Sequence, residues 1–156
     1  MRIRLIAVGT KMPGWVCAGY QDYERRLSAG IKLELCEIPS GKRTARTGLH
    51  RLQTREAALM QAAIGKKDFV LALEVGGQMW STRELADRMR QWRDAGHNLS
   101  LLVGGAEGML PEVSARADAL WSLSRLTLPH PMVRLVVAEQ LYRSWSLLNN
   151  HPYHRE

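Results

Sequence analysis

The stretch LSLLVGGAEG, residues 99–108, runs from an apolar strand pattern directly into a loop that contains three glycines. Two other apolar runs end in unusual loops, the first at residues 73–77 (LEVGG) and the second at residues 123–131 (LSRLTLPHP). In open α/β sheets the ligand lies beyond the carboxyl ends of the strands, and glycine lets the backbone approach a ligand closely. The three strand ends together therefore predict one ligand-binding site.

Strand patterns and helix patterns alternate along the whole chain. The predicted strands are Arg2–Val8, Lys32–Ile38, Phe69–Leu73, Leu99–Val103 and Ala119–Leu123. The predicted helices are Pro13–Ser28, Leu49–Ile64, the stretch from Ser81 to Gly96, Pro111–Asp118 and Pro131–Leu148. This alternation is typical of an α/β fold, here a mostly parallel sheet of five to six strands with helices on both faces. Since the sequence shows no internal repeat, residues 1–156 are predicted to form a single domain.

The charge of the chain favours a polyanionic partner. Its 156 residues carry a formal net charge of +7, and phosphates that are neutralised by Lys or Arg release bound counterions. Basic residues concentrate in and after a turn-rich basic loop at residues 39–48, namely Lys42, Arg43, Arg46, Arg51 and Arg55. The alternative is that these residues form only a solvated basic face.

No apolar run approaches the roughly 20 residues that a membrane span needs, and the first residues lack the pattern of a secretory signal. The sequence therefore predicts a cytoplasmic protein without a membrane partner. Cys17 and Cys36 are expected to be free thiols, because they are unclustered in a chain without a secretion signal.

The last predicted helix has more apolar surface than packing on one sheet requires. One apolar face consists of Val133, Val136, Val137, Leu141, Trp145 and Leu148. Other sides of the helix carry Met132, Leu135, Ala138, Tyr142 and Leu147. A second copy of the chain would cover this excess, so the pattern predicts a homodimer; deep burial within a monomer is the alternative.

Several motifs of familiar chemistry are absent from the sequence. It has no Gly-x-x-x-x-Gly-Lys-Ser/Thr phosphate loop, no Gly-x-Gly-x-x-Gly dinucleotide motif and no Gly-x-Ser-x-Gly nucleophile elbow. The five histidines are scattered, so no metal site is predicted. What remains is a pocket of main chain and leucine side chains, which suits a ligand with an apolar or aromatic body. S-adenosylmethionine, an adenine-containing cofactor without phosphates, meets this description.

The chain resembles the SPOUT class of methyltransferases, and within it the ribosomal RNA large subunit methyltransferase H family, the 23S rRNA pseudouridine N3 methyltransferases. The resemblance covers the chain from end to end. Its motifs here are VGTK (8–11), EIP (37–39), LVGG (102–105), EG (107–108), WSLS (121–124), LTLPHP (126–131), VR (133–134), AEQLYRSW (138–145) and NHPYHRE (150–156). The resemblance implies a trefoil knot in the C-terminal half, a cofactor region over about residues 70–150 and a substrate-contacting tail over residues 150–156.

The resemblance also implies roles for single residues. The pocket for S-adenosylmethionine and its product S-adenosylhomocysteine falls on Leu73, Gly104, Gly105, Leu123, Ser124, Arg125, Leu126, Thr127 and Leu128. Substrate contacts across the dimer interface fall on Arg143, Tyr153, His154 and Arg155. The expected catalytic residues are His130, Tyr153 and Arg155. His130 could orient the base or accept its proton, with an N-cap or core role left open; Arg134 is a further candidate for RNA contact.

The function implied by the resemblance is metal-independent methylation of N3 of a pseudouridine in 23S rRNA, in the large subunit or the assembled ribosome. Two alternatives stay open. One is a SPOUT methyltransferase that acts on another RNA, such as tRNA. The other is a non-catalytic ribosome-binding module that uses the basic face alone.

Overall fold

The computed structural model of the chain describes residues 1–28, 30–41 and 48–154. Within them the strands β1 to β5 are Arg2–Val8, Lys32–Ile38, Phe69–Met79, Leu99–Val103 and Ala119–Ser122. The helices α1 to α5 are Gly14–Arg26, Leu49–Ala63, Thr82–Asp94, Pro111–Ser114 and His130–Leu148. Every predicted element is present. The boundaries agree to within two residues except at β3, which is longer than predicted, and at α4, which is shorter.

The strands form one sheet in the order β2-β1-β4-β3-β5, and all pairings between the described strands are parallel. The chain places β2 on one side of β1, crosses to β3, and returns with β4 between β1 and β3. Parallel neighbours require crossover connections, which the helices between successive strands provide. The predicted single α/β domain with a parallel sheet is therefore confirmed, with five strands.

Two apolar cores lie on opposite faces of the sheet. The larger core is built with α1, α3 and α5, which contribute residues such as Tyr20, Met89 and Leu141. The smaller core is built with α2 and α4, which contribute Met60 and Val113. A sheet that is covered on both faces explains why β1 and β4 have almost continuous apolar sequences.

The prediction of a loop at residues 74–77 is wrong, because β3 continues through this segment. Its pairing with β5 is irregular there: Leu73 and Gln78 both lie opposite Trp121, so the intervening residues bulge out of the ladder. Gly77 permits the close approach of the two strands, because a Cβ at this position would lie 2.7 Å from the main chain of Trp121. Glycine is common in turns, but Gly77 is needed here inside a strand.

The start and the end of α3 follow from its sequence. The Ser81 side chain accepts a hydrogen bond from the Glu84 amide at 3.2 Å, and the Glu84 carboxylate accepts one from the Ser81 amide at 2.7 Å. This reciprocal pair is a capping box, which marks the first turn of the helix. Past the last turn, Gly96 has a φ of +75°, a conformation that glycine adopts without strain.

The apolar excess on α5 is smaller than its sequence predicts. Ala138 and Tyr142, expected on uncovered sides, are buried within the single chain because α1 and α3 both pack against α5. Met132, Leu135 and Leu147 remain half-buried. These three residues leave apolar surface on α5 without requiring that most of the helix be covered by a partner.

Two smaller expectations concern the cysteines and the membrane. Cys17, which is exposed, and Cys36, which is half-buried, are both free thiols, as predicted. Within residues 1–28, 30–41 and 48–154, no helix combines the length and the hydropathy of a membrane span.

Candidate active site

A cavity of about 650 Å³ opens at the carboxyl ends of β4 and β5 and at the bulged segment in the middle of β3. Three segments of the chain line the cavity: residues 73–75, residues 103–109 except Glu107, and residues 121–130 except Arg125. Val133 of α5 also belongs to the lining. The volume is within the range of small-molecule sites, and parallel α/β sheets bind their ligands at this edge. The structure thus brings the three predicted strand ends together.

Most of the residues expected to hold a cofactor line this cavity. They are Leu73, Gly104, Gly105, Leu123, Ser124, Leu126, Thr127 and Leu128. Arg125 is exposed and does not belong to the lining. Sequence reasoning missed Val103, Met109 and Trp121, whose apolar character is equally consistent with ordinary core positions.

The loop after β4 folds back tightly on itself. The Gly108 amide donates a hydrogen bond to the Gly105 carbonyl at 3.0 Å, and Gly108 has a φ of +77°. A Cβ on Gly104 would lie 2.8 Å from the Met109 side chain and 2.9 Å from the main chain of Gly108. Glycine is therefore needed at Gly104, and the loop presents main-chain groups to the cavity.

Short side-chain hydrogen bonds shape the segment after β5. The Ser122 hydroxyl donates to the Ser124 carbonyl at 3.1 Å, and the Ser124 hydroxyl accepts from the Leu126 amide at 2.9 Å. Leu126 and Val75 are 73% and 72% exposed where they line the cavity. Such exposed apolar side chains at a cavity are typical of a surface that contacts a ligand or a partner chain.

His130, the first residue of α5, also lines the cavity and is half-buried. Burial, followed by the positive charge of Arg134, lowers the pKa of His130 below its ordinary value. The neutral imidazole is therefore favoured near pH 7. A neutral imidazole has a nitrogen lone pair that can accept a proton or a hydrogen bond.

Arg134 is buried and does not reach solvent, so the prediction that it contacts RNA is wrong. Its guanidinium donates to the carbonyl of Val8 at 3.1 Å, to that of Gly9 at 2.6 Å and to the Glu37 carboxylate at 2.7 Å. These partners stand at the carboxyl ends of β1 and β2. Arg134 thus fixes the first turns of α5, including His130, against the sheet.

The C-terminal tail folds back onto α1 and α5. The Tyr153 hydroxyl donates to the Glu139 carboxylate at 3.1 Å and lies 3.3 Å from the Tyr23 hydroxyl. The Arg143 guanidinium lies 4.8 Å from the centre of the Tyr153 ring and donates to Glu139 at 2.7 Å. Burial and the hydrogen bond with Tyr23, then the charge of Glu139, raise the pKa of Tyr153. Arg143 and Tyr153 are therefore brought together by Glu139 and Tyr23, two residues that sequence reasoning missed.

The rest of the tail is described only in part. His154 is half-buried, and its buried Nδ1 has no hydrogen-bond partner among the described residues. Arg155, predicted to act in catalysis and in substrate binding, lies outside the described residues.

Within one chain the cavity and the tail are far apart. Glu139 lies nine residues after His130 on α5, which corresponds to roughly 14 Å along the helix axis, and Arg143 to roughly 20 Å. His130 and Tyr153 therefore cannot act on the same substrate atom within one copy of the chain.

The lining of the cavity restricts what it can hold. Among the described residues that line it there is no Lys or Arg, so a polyphosphate has no cationic partner there. Nor does the described part of the chain contain a group of three or more His, Cys, Asp or Glu placed to bind a metal. Trp121 also contributes to the lining, and its buried Nε1 has no hydrogen-bond partner among the described residues. The cavity fits an organic ligand with an apolar body and few polar groups.

Other solved structures share the fold of this chain. A solved structure from Haemophilus influenzae Rd KW20, described as a probable methylase family protein, is similar over 99% of this chain and 70% of its own, with a TM-score of 0.61 and 13% identity. A solved structure from Neisseria gonorrhoeae, described as a "putative methylase family protein", is similar over 90% of this chain and 81% of its own, with a TM-score of 0.55 and 13% identity. The family described as "Predicted SPOUT methyltransferase" matches residues 1–154, and the chain belongs to this family.

A curated relative is much more similar in sequence. Ribosomal RNA large subunit methyltransferase H from Marinomonas sp. (strain MWYL1) is 56% identical over 155 residues, which are 99% of this chain and 100% of the relative. The trefoil knot is characteristic of SPOUT proteins, and for this chain it stays a prediction from family membership.

Proposed function

We propose that this SPOUT methyltransferase transfers a methyl group from S-adenosylmethionine to N3 of a pseudouridine in the 23S rRNA of the large ribosomal subunit. The observation that carries the proposal is the 56% identity with a full-length relative that is named as a methyltransferase of this RNA subunit. The sequence resemblance supplies the particular nucleotide and atom. An enzyme with this substrate works where ribosomes are, in the cytoplasm.

The cavity fits S-adenosylmethionine in size and in chemistry. Its volume of about 650 Å³ suits a ligand of this size, and Leu126 and Leu128 offer apolar surface to the adenine ring. The main chain at Gly104 and Gly105 can approach the ligand because no side chain intervenes. When bound, the cofactor supplies an electrophilic methyl group on a sulfonium and leaves as S-adenosylhomocysteine.

The residues of the chain have to align the base and remove its proton. N3 of pseudouridine carries a proton that must leave when the new N–C bond forms, so a base beside the acceptor nitrogen accelerates the reaction. His130 lines the cavity, and its lowered pKa favours the neutral imidazole that can take this proton. The residues that line the cavity would hold the cofactor, and in-line placement of the acceptor nitrogen against its methyl group would lower the entropic cost of the transfer.

The tail completes the site when it comes from a second copy of the chain. Tyr153 and Arg143 are the aromatic and cationic groups that recognition of an extruded nucleotide requires, yet they lie roughly 14–20 Å along α5 from His130. Apolar surface for contact between two copies is available at Trp15, Met132, Leu135 and Leu147. We therefore infer a homodimer in which each cavity receives the tail of the other subunit.

Methyl transfer to ribosomes tests the proposal directly. Ribosomes from a bacterial strain that lacks the enzyme are incubated with the protein and S-adenosylmethionine, and the modified nucleotide is mapped by mass spectrometry. We expect one additional methyl group on one pseudouridine of 23S rRNA. Methylation of tRNA instead, or no methylation of any RNA, overturns the proposal.

Calorimetry tests the cofactor site separately. In Gly105→Leu even the Cβ would lie 3.0 Å from the Val8 side chain, so the loop at residues 104–108 should be displaced and binding of S-adenosylmethionine should be lost. Arg90→Gln, which changes an exposed residue of α3, is the matched control and should bind as the wild type does. Equal binding by all three proteins would contradict the assignment of the cavity.

A further inference from the structure

The helix α2 has one face turned to the cofactor loop and another turned to solvent. On the inner face, the Gln53 amide donates to the Glu107 carbonyl at 3.1 Å, and the Glu56 carboxylate lies 3.8 Å from the position of a Cβ on Gly105. On the outer face, Arg51 and Arg55 are exposed one helical turn apart. These two arginines therefore belong to the helix that contacts the cofactor loop but lie on its solvent face.

The positive charge of the protein is concentrated in this region. Residues 39–67 contain seven of the 22 Lys and Arg residues but only one of the 15 acidic residues, so a net charge of +6 out of +7 falls within them. The one acid is Glu56, which points inward. The remainder of the chain carries a net charge of only +1, so most of the net positive charge of the protein lies in this segment.

The described cations of this segment are not consumed by ion pairs. Arg51, Arg55, Lys66 and Lys67 are exposed, and none of them forms an ion pair with another described residue. The exposed arginines of α3 differ, because Arg90 and Arg93 pair with neighbouring aspartates of the same helix at 2.6 and 3.3 Å. Unpaired cations remain available to phosphates.

The cations also span the height of the molecule. Arg51 lies in the first turn of α2, at the cavity edge of the sheet, and Lys66 and Lys67 follow the helix at the opposite edge. With a rise of 1.5 Å per residue, this distance is roughly 20 Å, enough for several phosphates of an RNA strand.

We propose that Arg51, Arg55, Lys66 and Lys67 form a phosphate-binding surface, the α2 surface, along which the RNA backbone runs toward the cavity. The proposal rests on the proposed RNA substrate and adds the surface that holds it. The surface binds the ribose-phosphate backbone without reading bases, while the cavity and the tail select the nucleotide. The hydrogen bond from Gln53 to the Glu107 carbonyl links the helix that carries this surface to the loop at residues 104–108.

The salt dependence of RNA binding tests the α2 surface. Affinity for a fluorescently labelled fragment of 23S rRNA is measured over a series of KCl concentrations for the wild type, Arg51→Gln/Arg55→Gln and Lys66→Gln/Lys67→Gln. The plot of log K against log [KCl] has a negative slope, and each lost phosphate contact should reduce its magnitude by ~0.7 for a single strand. Each double variant should therefore reduce the magnitude of the slope by about 1.4. The control is Arg90→Gln/Arg93→Gln, which removes the same charge from α3 and should keep the wild-type slope.

The outcomes separate this proposal from the proposed function. An unchanged slope in both α2 variants, or an equal loss in the α3 control, overturns the α2 surface. Calorimetry with S-adenosylmethionine should give the wild-type affinity for all variants, which shows that the cavity is intact. If the wild type methylates ribosomes while the α2 variants bind RNA normally, the surface is wrong and the function stands. If the slopes change but the wild type methylates no RNA, the α2 surface stands and the proposed function is wrong.

Discussion

The guanidinium of Arg134 donates a hydrogen bond of 2.6 Å to the carbonyl of Gly9, a residue 125 positions earlier in the chain. Gly9 has a φ of +108° and directly follows β1, so its carbonyl is free to turn toward α5. Arg134 also lies one helical turn after His130. The bond therefore sets the position of the candidate base relative to the end of the central strands.

Removing the Arg134 side chain should destabilise the protein strongly. Arg134→Met leaves the buried carbonyls of Val8 and Gly9 without this donor, and each unsatisfied buried polar group costs about 1–3 kcal/mol. The Glu37 carboxylate also loses its partner but is itself partly exposed to solvent. Arg134→Lys keeps the positive charge but has fewer hydrogen-bond donors, so its loss of stability should be intermediate. Urea unfolding gives the free energy of unfolding. The control is Arg26→Met, which breaks an exposed ion pair with Asp22 and should change stability little. A similar effect of both Met variants would contradict the role of Arg134.

The sequence predicts elements well where a local pattern determines them. The strands Lys32–Ile38 and Leu99–Val103 match residue for residue, because alternation and continuous apolar runs are visible in a few neighbouring residues. Contacts between distant segments are not visible in this way. Arginine is a residue type that usually lies on the surface, and Arg134 can be buried only because carbonyl groups far away in the chain accept its hydrogen bonds. The cavity could be predicted because each strand end that lines it is visible as a local pattern. The contact of Tyr153 with Glu139 could not be predicted, because no local pattern in the sequence indicates it.

Gly77 should be required in β3, whereas its neighbour Gly76 should not. A Cβ at Gly77 would lie within 2.8 Å of the main chain of Trp121 and Leu120, so Gly77→Ala should cost about 1–3 kcal/mol through overpacking. A Cβ at Gly76 meets nothing within 4 Å, which makes Gly76→Ala the matched control. Thermal unfolding of both variants measures the difference. If Gly77→Ala has the same melting temperature as the wild type, the bulge tolerates a side chain and glycine is not required at this position.

His130 should give methylation a distinct dependence on pH. Burial and Arg134 lower the pKa of His130 below 6.5, and a base acts in its deprotonated form, so the rate should rise with pH and level off near or below pH 6.5. His130→Asn should lower the rate by about 10²–10⁴-fold and abolish this limb of the profile. The control is a binding measurement with S-adenosylmethionine at each pH. An unchanged pH limb in His130→Asn would assign the proton transfer to another group.

The same pKa shift affects stability. Because folding lowers the pKa of His130, the unfolded chain binds the proton more tightly, and stability should rise with pH. The contribution is complete above the unfolded value near 6.5 and is lost as the pH falls through the lower folded value. Urea unfolding of the wild type and of His130→Asn as a function of pH checks this prediction. Parallel curves for the two proteins below pH 6.5 would contradict it.

Two inactive variants should restore activity when they are mixed, if each cavity uses the tail of the partner. His130→Ala damages the cavity, and Tyr153→Ala damages the tail, so each homodimer should be inactive. In the mixed dimer, one site combines both defects, while the other pairs an intact cavity with an intact tail. Unfolding and refolding the two proteins together at equal concentrations should therefore give about a quarter of the wild-type activity. Each variant refolded alone is the control. If the mixture stays inactive although mixed dimers form, as native mass spectrometry can establish, cavity and tail do not act across the interface.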